Sequence, residues 1–326
     1  MVAGLLQRAN PGLENHAFRW SRETGIQILP QLESSFPLSM ANALSGNGRV
    51  VGGVTNDDER MYATLWPEGE GPTLLSATQL REVADMTPDA STLLLTGGHT
   101  AIWTASGETR LGTLAGPDAF TCGTGISADG STVTGYGQTA SGIYGAFRWT
   151  PASGMTGLGT LNGAPTEGSV AYAISPDGTT IVGANLSSTG ATAVRWRAES
   201  GIVSLDSEWD AIENTSANDT SQDGSVVVGR GYRQSPAGNI ECPFYWSAQT
   251  GMVGLADYLV DVHHLDLTGW ELINANAISP DGLTIVGEGI HNGVLEGFIA
   301  VLPEPMTLHC LAVACLPLLH RRRPTL

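Results

Sequence analysis

Short runs of apolar and alternating residues recur along the whole chain, and glycine-containing turns separate them. One copy reads AYAISPDGTTIVG, then ATAVRW, then ESGIVSL. Ala171 to Ser175 and Thr180 to Val182 have the composition of short strands, and Asp177-Gly178 between them is typical of a tight hairpin turn. A loop of variable length follows, and then Ala193 to Trp196 and Ile202 to Leu205 are the third and fourth predicted strands. The pattern therefore predicts a four-stranded unit.

This unit returns about seven times. A tryptophan closes the third segment in six copies, at intervals of 37 to 50 residues: Trp20, Trp66, Trp103, Trp149, Trp196 and Trp246. A seventh copy has Phe298 in that segment. Periods of about 40 to 50 residues are typical of four-stranded propeller blades, whereas solenoid rungs repeat every ~20 to 29 residues. The sequence therefore predicts an all-β fold, a β-propeller built from about seven four-stranded repeats.

The repeats divide the chain into a body and a tail. We place the copies near residues 1–33, 39–80, 81–116, 121–163, 169–210, 214–255 and 271–302, with a linker helix at 255–263. Two copies are incomplete, because the first lacks its first strand and the last stops after its third segment. Residues 303–326 are a separate tail, in which a short hydrophobic helix is predicted.

Four units carry an aspartate followed by glycine at the first turn: Asp129-Gly130, Asp177-Gly178, Asp223-Gly224 and Asp281-Gly282. A carboxylate in each unit could also serve a calcium or catalytic site. A structural turn explains it better, because Asn47-Gly48 and Asp89-Ala90 occupy the same place in other copies and aspartate accepts hydrogen bonds from nearby backbone amides. The tryptophans are likewise interpreted as core residues rather than a stacking platform. A binding site at the central pore or the loop tips stays open.

The charge of the body argues against one class of partner. The chain has no lysine, and 12 of its 15 arginines and 31 of its 32 acidic residues precede the tail, giving the body a charge of 12 − 31 = −19. Such a surface repels phosphate backbones, so we expect no nucleic-acid partner and a solvated extracellular protein. Cys122 and Cys242 occupy different positions in non-neighbouring repeats, and no disulfide is predicted between them.

Candidate metal ligands form three groups: His263 and His264 with Asp261 and Asp266; Asp57, Asp58 and Glu59; and Asp206, Glu208, Asp210 and Glu213. None matches an EF-hand or nonapeptide calcium pattern, and solvated acidic loops explain them. The chain has no GxSxG elbow and no Walker or Rossmann fingerprint. The sequence therefore identifies no catalytic, cofactor-binding or metal-binding residue, and its only cofactor candidate is loosely bound calcium.

The ordered motifs of the body resemble one bacterial family. They are HAFRW at His16 to Trp20, GAFRW at Gly145 to Trp149, LGTL at Leu111 and Leu158, and AISPDG followed by IVG. Together they resemble the HAF-repeat proteins, which are described as probable extracellular repeat proteins. The resemblance covers nearly the whole body and implies a propeller-like array and a surface location, with no defined reaction. Three copies depart from the pattern: the third has a shortened loop, the fifth reads AVRW and the sixth reads PFYW.

The tail has three parts in a fixed order. Pro303, Glu304 and Pro305 are followed by the apolar stretch Met306 to Leu319 and by Arg321, Arg322 and Arg323. This order resembles a PEP-CTERM sorting signal of Gram-negative surface proteins, which implies recognition by an exosortase-type membrane protease. An apolar segment that enters the bilayer transiently, with arginines retained on the cytoplasmic side, is consistent with such a tail. The 14 apolar residues are fewer than the ~20 that span a bilayer comfortably.

A surface protein needs an export signal, and the opening MVAGLLQRANPG has the pattern of a strand rather than of a signal peptide. We therefore expect an in-frame upstream extension that encodes a signal peptide and one further strand. The signal peptide is then missing from this gene model.

Two functions remain open after the sequence analysis. The first is an extracellular or cell-surface module without catalytic activity, which binds a polysaccharide or a surface protein or organises the matrix. The second is a surface glycan hydrolase or lyase whose carboxylates converge in space. Two carboxylates with an arginine or histidine in one pocket favour the enzyme, whereas a ring of small residues favours binding.

Overall fold

The computed structural model describes residues 1–7, 15–75, 81–206, 212–235 and 238–303. It contains seven separate antiparallel sheets, arranged as the blades of a propeller. The predicted all-β propeller of about seven repeats is therefore confirmed. The predicted helix of the tail lies outside the described residues.

The first four blades span residues 2 to 157. Blade 1 contains β1 (Val2–Gln7), β2 (Asn15–Ser21) and β3 (Gly25–Ile28). Blade 2 contains β4 (Ser39–Leu44), β5 (Val50–Asn56), β6 (Met61–Pro67) and β7 (Thr73–Leu74). Blade 3 contains β8 (Glu82–Met86), β9 (Leu93–Thr96), β10 (Ala101–Thr104) and β11 (Gly107–Arg110). Blade 4 contains β12 (Thr121–Ile126), β13 (Val133–Gln138), β14 (Tyr144–Thr150) and β15 (Gly154–Gly157).

The last three blades span residues 168 to 301. Blade 5 contains β16 (Gly168–Ile174), β17 (Thr180–Ser187), β18 (Gly190–Arg197) and β19 (Gly201–Ser204). Blade 6 contains β20 (Ile212–Thr220), β21 (Val226–Ser235), β22 (Gly238–Glu241), β23 (Phe244–Ser247) and β24 (Gly251–Gly254), where β22 pairs only with β21. Helix α1 (Leu255–Asp261) leads to blade 7, with β25 (Trp270–Ile278), β26 (Thr284–His291) and β27 (Val294–Val301).

Strand order gives the propeller two distinct ends. In each four-stranded blade the strands are hydrogen-bonded in chain order, and the first strands of successive blades 2 to 7 adjoin one another as the inner wall. The connections from first to second strand and from third to fourth strand lie at one end of the blades, which we call the turn end. The connections from second to third strand and from one blade to the next lie at the opposite end, which we call the loop end.

Large apolar side chains fill the layers between successive blades. Phe147 and Trp149 of blade 4 pack in one buried cluster with Leu94 of blade 3. Trp246 of blade 6 packs in the same way with Val182 and other residues of blade 5. Truncating such a buried aromatic residue to alanine costs about 3–5 kcal/mol. The core of the protein is therefore the set of layers between blades.

Every first strand from blade 2 to blade 7 contains a β-bulge at the same place. The extra residues are Asn42, Ala84, Thr124, Tyr172, Asn218 and Asn276. Three of them donate a side-chain hydrogen bond to a backbone carbonyl of the next blade: Asn42 to Val83 at 3.2 Å, Thr124 to Ala171 at 3.0 Å and Asn218 to Ala275 at 2.9 Å. The bulges therefore link blades as well as bend strands.

One segment differs from the expectation. A variable loop was predicted after Gly183, but β17 continues to Ser187 and pairs with β18 from Gly190 onward. The pairing persists because Ala184 and Ala193 are directly opposite each other and fully buried against neighbouring blades. Only two residues remain for the hairpin at the loop end.

Blades 1 and 7 have three strands each, and the prediction of two incomplete repeats is confirmed. On β27, Phe298 and Ala300 are buried, whereas Ile299 and Val301 on the opposite face are exposed. Ile26 and Ile28 on β3 are also exposed. The faces of the end blades that have no described neighbour therefore carry exposed apolar side chains.

Candidate functional site

The repeated Asp-Gly positions form a common structure at the turn end. In blade 5 the Ser175 hydroxyl donates to Asp177 at 2.6 Å, and Asp177 accepts from the Thr179 amide at 2.9 Å. Gly178 has a φ of +74°, which glycine adopts without strain. The carboxylates of Asp129, Asp223 and Asp281 make the corresponding bonds, with Gly130, Gly224 and Gly282 at φ between +68° and +74°.

Hydrogen bonds also connect these turns from one blade to the next. The Ala128 amide donates to the Pro176 carbonyl at 2.8 Å, and the Asp177 amide donates to Gln222 at 3.2 Å. The Gln222 amide in turn donates to Pro280 at 2.8 Å. The turn aspartates therefore belong to a chain of backbone contacts that fixes the turn end, and their carboxylate oxygens are occupied by local donors.

The repeat tryptophans lie between blades. Trp66, Trp149, Trp196 and Trp246 are buried, and Trp20 and Trp103 are partly buried. The Arg195 guanidinium lies 4.7 Å from the centre of the Trp246 ring, a cation–π contact across blades 5 and 6. None of the four buried rings offers a free face to a ligand.

The described residues of the three candidate metal-ligand groups make local contacts. Asp266 accepts two bonds from Thr268, and His263 packs edge-on against Tyr258 at 4.9 Å. Asp57 accepts from the Tyr62 hydroxyl and Asp58 from the Ser35 amide, so both close a loop of blade 2. Across the described ranges, no three His, Cys, Asp or Glu side chains form a group that could hold a metal ion.

The remaining sequence candidates are placed only in part. Asp206 accepts a bond from the Thr215 hydroxyl at 2.6 Å, and Glu213 accepts from Gln234. Glu208 and Asp210 lie outside the described residues, as do Glu304, Pro305, Arg321, Arg322 and Arg323 of the tail. Pro303 lies two residues after the end of β27 and is exposed. Within the part that the structure describes, Cys122 and Cys242 form no disulfide, and no helix is long and apolar enough to cross a bilayer.

Two carboxylates on the inner wall have unusual electrostatics. Asp85 follows the bulge of blade 3 and accepts bonds from the Ile126 amide of blade 4 and from the Met86 amide. Asp219 follows the bulge of blade 6 and accepts from Ile278 of blade 7 at 2.8 Å. Burial raises the pKa of Asp85 to about 6. Burial, with a smaller contribution from the charge of Asp85, raises the pKa of Asp219 to about 7.

The loop end of blade 4 presents three aromatic rings to each other, which we call the aromatic cluster: Phe120, Tyr136 and Tyr144. The ring centres of Tyr136 and Tyr144 are 5.6 Å apart, and Phe120 lies 6.2 Å and 6.1 Å from them. The side chains of Phe120 and Tyr144 are 37% and 48% exposed. Burial holds the Tyr136 hydroxyl in its neutral form, because it raises the pKa of that group to about 12. The cluster therefore exposes aromatic surface to solvent at the loop end of blade 4.

A cavity of about 390 Å³ opens beside the aromatic cluster, between blades 4 and 5. Tyr144 belongs to the aromatic cluster and also lines the cavity. Leu114 and Ile143 supply apolar lining, and Thr139, Ser141, Thr160, Glu167 and Ser169 supply polar groups. The volume is within the range of small-ligand sites, about 300–1,000 Å³.

Glu167 is the one charged residue among those that line the cavity. Its carboxylate accepts from the amide groups of Asn162 at 2.9 Å and Asn185 at 3.3 Å. The hydrogen bond from Asn162 lowers the pKa of Glu167, partial burial opposes the change, and Asn185 adds to the lowering. Glu167 is therefore ionised at neutral pH, and two neutral donors orient it.

Neither the aromatic cluster nor the inner-wall aspartates were predicted from the sequence. Comparing the copies in register reveals both. Tyr136 takes the place of Val54, Thr96, Ala184, Arg230 and Glu288 in the other second strands. Asp85 and Asp219 follow the bulge where other blades have Ala43, Gly125, Ala173 and Ala277. A variable position in a regular repeat was the available signal.

Comparison with known proteins places the chain by fold. No family model and no curated protein matches it. Putative TolB from Agrobacterium tumefaciens is 14% identical, with a TM-score of 0.52 over 88% of this chain and 97% of that chain. A prolyl endopeptidase is 10% identical, with a TM-score of 0.57 over 93% of this chain and 50% of its own. A puromycin hydrolase mutant is 15% identical, with a TM-score of 0.54 over 88% and 50%. At these identities the likeness shows the propeller fold alone.

Proposed function

We propose that the protein is an exported, cell-surface module that binds glycans and does not cleave them. The observation that carries the proposal is the aromatic cluster at the edge of a cavity on the loop end. Sugar rings have apolar faces, and exposed aromatic rings bind such faces while nearby polar groups bind the hydroxyls. Phe120 and Tyr144 offer the faces, and Thr139, Thr160 and Glu167 offer the polar groups.

The position of the cluster supports the same proposal. Binding residues are carried on connections held by a rigid scaffold. Phe120 lies on the connection before β12, and Tyr144 begins β14 after the loop-end hairpin. A glycan on this surface would not need to enter the propeller.

Binding to polysaccharides tests the proposal. The full-length protein is titrated with a panel of soluble neutral glucans, amino-sugar polymers and polyuronates, and the double variant Phe120→Ala, Tyr144→Ala is compared with it. Loss of two stacking rings is expected to weaken binding at least about tenfold, which is about 1.4 kcal/mol. The matched control is Phe36→Ala, since Phe36 is 85% exposed on the connection between blades 1 and 2 and lies outside the cluster.

Three results decide the outcome. Binding that the double variant loses and the Phe36 variant keeps supports the proposal. Equal binding by all three proteins would place the glycan elsewhere, and no binding by the wild type would contradict the function itself. Thermal unfolding of both variants at the wild-type temperature shows that the fold is kept.

A second function, glycan hydrolysis or lyase chemistry, is favoured by one observation. Asp85 and Asp219 have raised pKa values of about 6 and about 7, in the range of general acids and bases. Against it, both carboxylates are occupied by backbone amides that join neighbouring blades. Incubating the same polysaccharides with the protein tests it: shortened products that disappear in Asp219→Asn would replace the binding function by an enzyme.

Export and sorting by the tail belong to the proposal. Exposed Pro303 lies two residues after the last strand of blade 7, a position from which we expect the tail to reach a membrane protease. Expression in a Gram-negative host with and without an exosortase, from a gene that fuses a signal peptide before Met1, followed by mass measurement, tests this. We expect a shortened product only with the protease, and an uncut chain when Arg321, Arg322 and Arg323 are replaced by alanine.

A further inference from the structure

The charge of the cavity points to the class of glycan. The cavity is lined by one ionised carboxylate and by no arginine, and the chain has no lysine. The protein carries a net charge of −17. An acidic sugar would bring its carboxylate toward Glu167 without a cation to pair with, and such like-charge contacts are unfavourable.

An amino sugar has the complementary chemistry. Its ammonium group can pair with a carboxylate, and a cation beside an aromatic face gains a further attraction. Glu167 and Tyr144 line the same cavity of about 390 Å³, and the inference places one hexosamine unit against both. Asn162 and Asn185 hold the Glu167 carboxylate in place before the ligand arrives.

We infer that this site selects glycans containing free amino sugars over acidic and N-acetylated ones, and that Glu167 determines the selection. The inference rests on the proposed glycan-binding function, which it narrows to one ligand class. Tyr144 and Phe120 provide the stacking surface for any sugar ring. Glu167 distinguishes a charged amine from a neutral acetamide at the same carbon.

Calorimetric titration of the full-length protein with three hexasaccharides tests the inference. They are β-1,4-linked glucosamine, its N-acetylated counterpart with the same linkage, and oligogalacturonate. At low salt we expect the glucosamine hexamer to bind about tenfold more tightly than the acetylated one, and oligogalacturonate not to bind. Added NaCl should reduce the preference, because surface charge pairs are screened.

Two variants test whether Glu167 causes the preference for glucosamine over its N-acetylated counterpart. Glu167→Gln keeps the shape of the side chain and should reduce the ratio of the two affinities to about one, mainly by weakening glucosamine binding. Glu199→Gln is the matched control, since it removes one exposed carboxylate from the turn end of blade 5. Equal unfolding temperatures of the two variants establish that both fold.

The outcomes separate this inference from the function on which it rests. If the two glucosamine polymers bind equally, or oligogalacturonate binds best, and Tyr144→Ala still abolishes binding, the amino-sugar inference is wrong and glycan binding stands. If Glu199→Gln lowers the preference as much as Glu167→Gln, overall charge causes it and the role of Glu167 is wrong. If no glycan of the wider panel binds, the proposed function fails and the inference with it.

Discussion

The two ends of the blades follow opposite rules. At the turn end, six blades repeat one hydrogen-bond pattern, in which a serine or threonine hydroxyl meets an aspartate or asparagine two residues on. At the loop end, the connections differ from blade to blade, and among the described residues only blade 4 has three aromatic rings that all contact one another. Residues that recur from blade to blade therefore maintain the scaffold, and a residue that occurs in one blade is the better candidate for function.

The comparison predicts that turn-end substitutions change stability and leave glycan binding intact. The largest effect is expected for Gly224→Ala. Gly224 has a φ of +68°, and a Cβ there would overlap the buried side chain of Thr180 in blade 5. A disfavoured backbone conformation and overpacking together should lower the free energy of unfolding by about 2–4 kcal/mol, measured by denaturant titration.

Gly154→Ala is the control for backbone conformation alone. Gly154 has a φ of +64° at the turn after Trp149, but a Cβ there meets nothing within 4 Å. Gly154→Ala should lower the free energy of unfolding by about 1 kcal/mol. Equal losses in the two variants would show that contact between neighbouring turns does not stabilise the propeller.

The pH dependence of stability should separate turn aspartates from inner-wall aspartates. Hydrogen bonds lower the pKa of the turn residues, to about 2 for Asp89, so their contribution is present above pH 4 and is lost as the pH falls toward 2. Burial raises the pKa of Asp219 from 3.8 to about 7, so the folded protein keeps a proton that the unfolded chain releases. Its contribution is complete below pH 4 and is lost as the pH rises through 7.

We therefore expect a stability maximum near pH 4 to 5 and a fall on the order of 2 kcal/mol by pH 8. Asp219→Asn should flatten the fall between pH 5 and 8, whatever its absolute stability. Asp223→Asn, at the turn of the same blade, should change only the acidic side. Chemical denaturation across the pH range measures both, and an unchanged slope in Asp219→Asn would show that this carboxylate is ionised in the folded state.

Removing a turn carboxylate should have a smaller effect. Asp177 accepts bonds from Ser175, the Thr179 amide and the Thr179 hydroxyl, and it is exposed. Asp177→Ala should lower the free energy of unfolding by about 1–2 kcal/mol. Asp177→Asn should lose less, because Asn47 makes the same bonds in blade 2. Glycan binding is measured at a temperature at which Asp177→Ala is fully folded. Any loss of binding there would contradict the assignment of stability to the turn end and of binding to the loop end.

The sequence predicted the blades because their signals are local. Asp177-Gly178 and its counterparts determine a turn by their own backbone preferences. A tryptophan, such as Trp149, recurs at a fixed place in the strand pattern. Strand ends were less predictable. β17 reaches Ser187 because of burial against other blades, which alternation within one strand does not reveal.

The candidate site was not predicted, because the grouping of its rings depends on contacts between separate segments of blade 4. Phe120, Tyr136 and Tyr144 come from a connection and two strands, and no spacing rule brings their rings together. The buried environment of Asp85 was not predicted for a different reason. Its environment depends on the bulge at Ala84 and on the Ile126 amide of another blade.

The smallest predicted effect is a gain in stability, opposite to the losses expected for the Gly→Ala substitutions. Ala90 occupies the turn position that is glycine in five other blades, and its φ of +56° is disfavoured for a residue with a Cβ. Ala90→Gly removes a conformational cost of about 1–2 kcal/mol and adds back about 0.5–1 kcal/mol of unfolded-state entropy. The net gain in stability should be below about 1 kcal/mol, seen as a small rise in melting temperature with unchanged glycan binding. A lower melting temperature would mean that packing of the Ala90 methyl group, which lies against the cluster of blades 2 and 3, outweighs backbone strain at this turn.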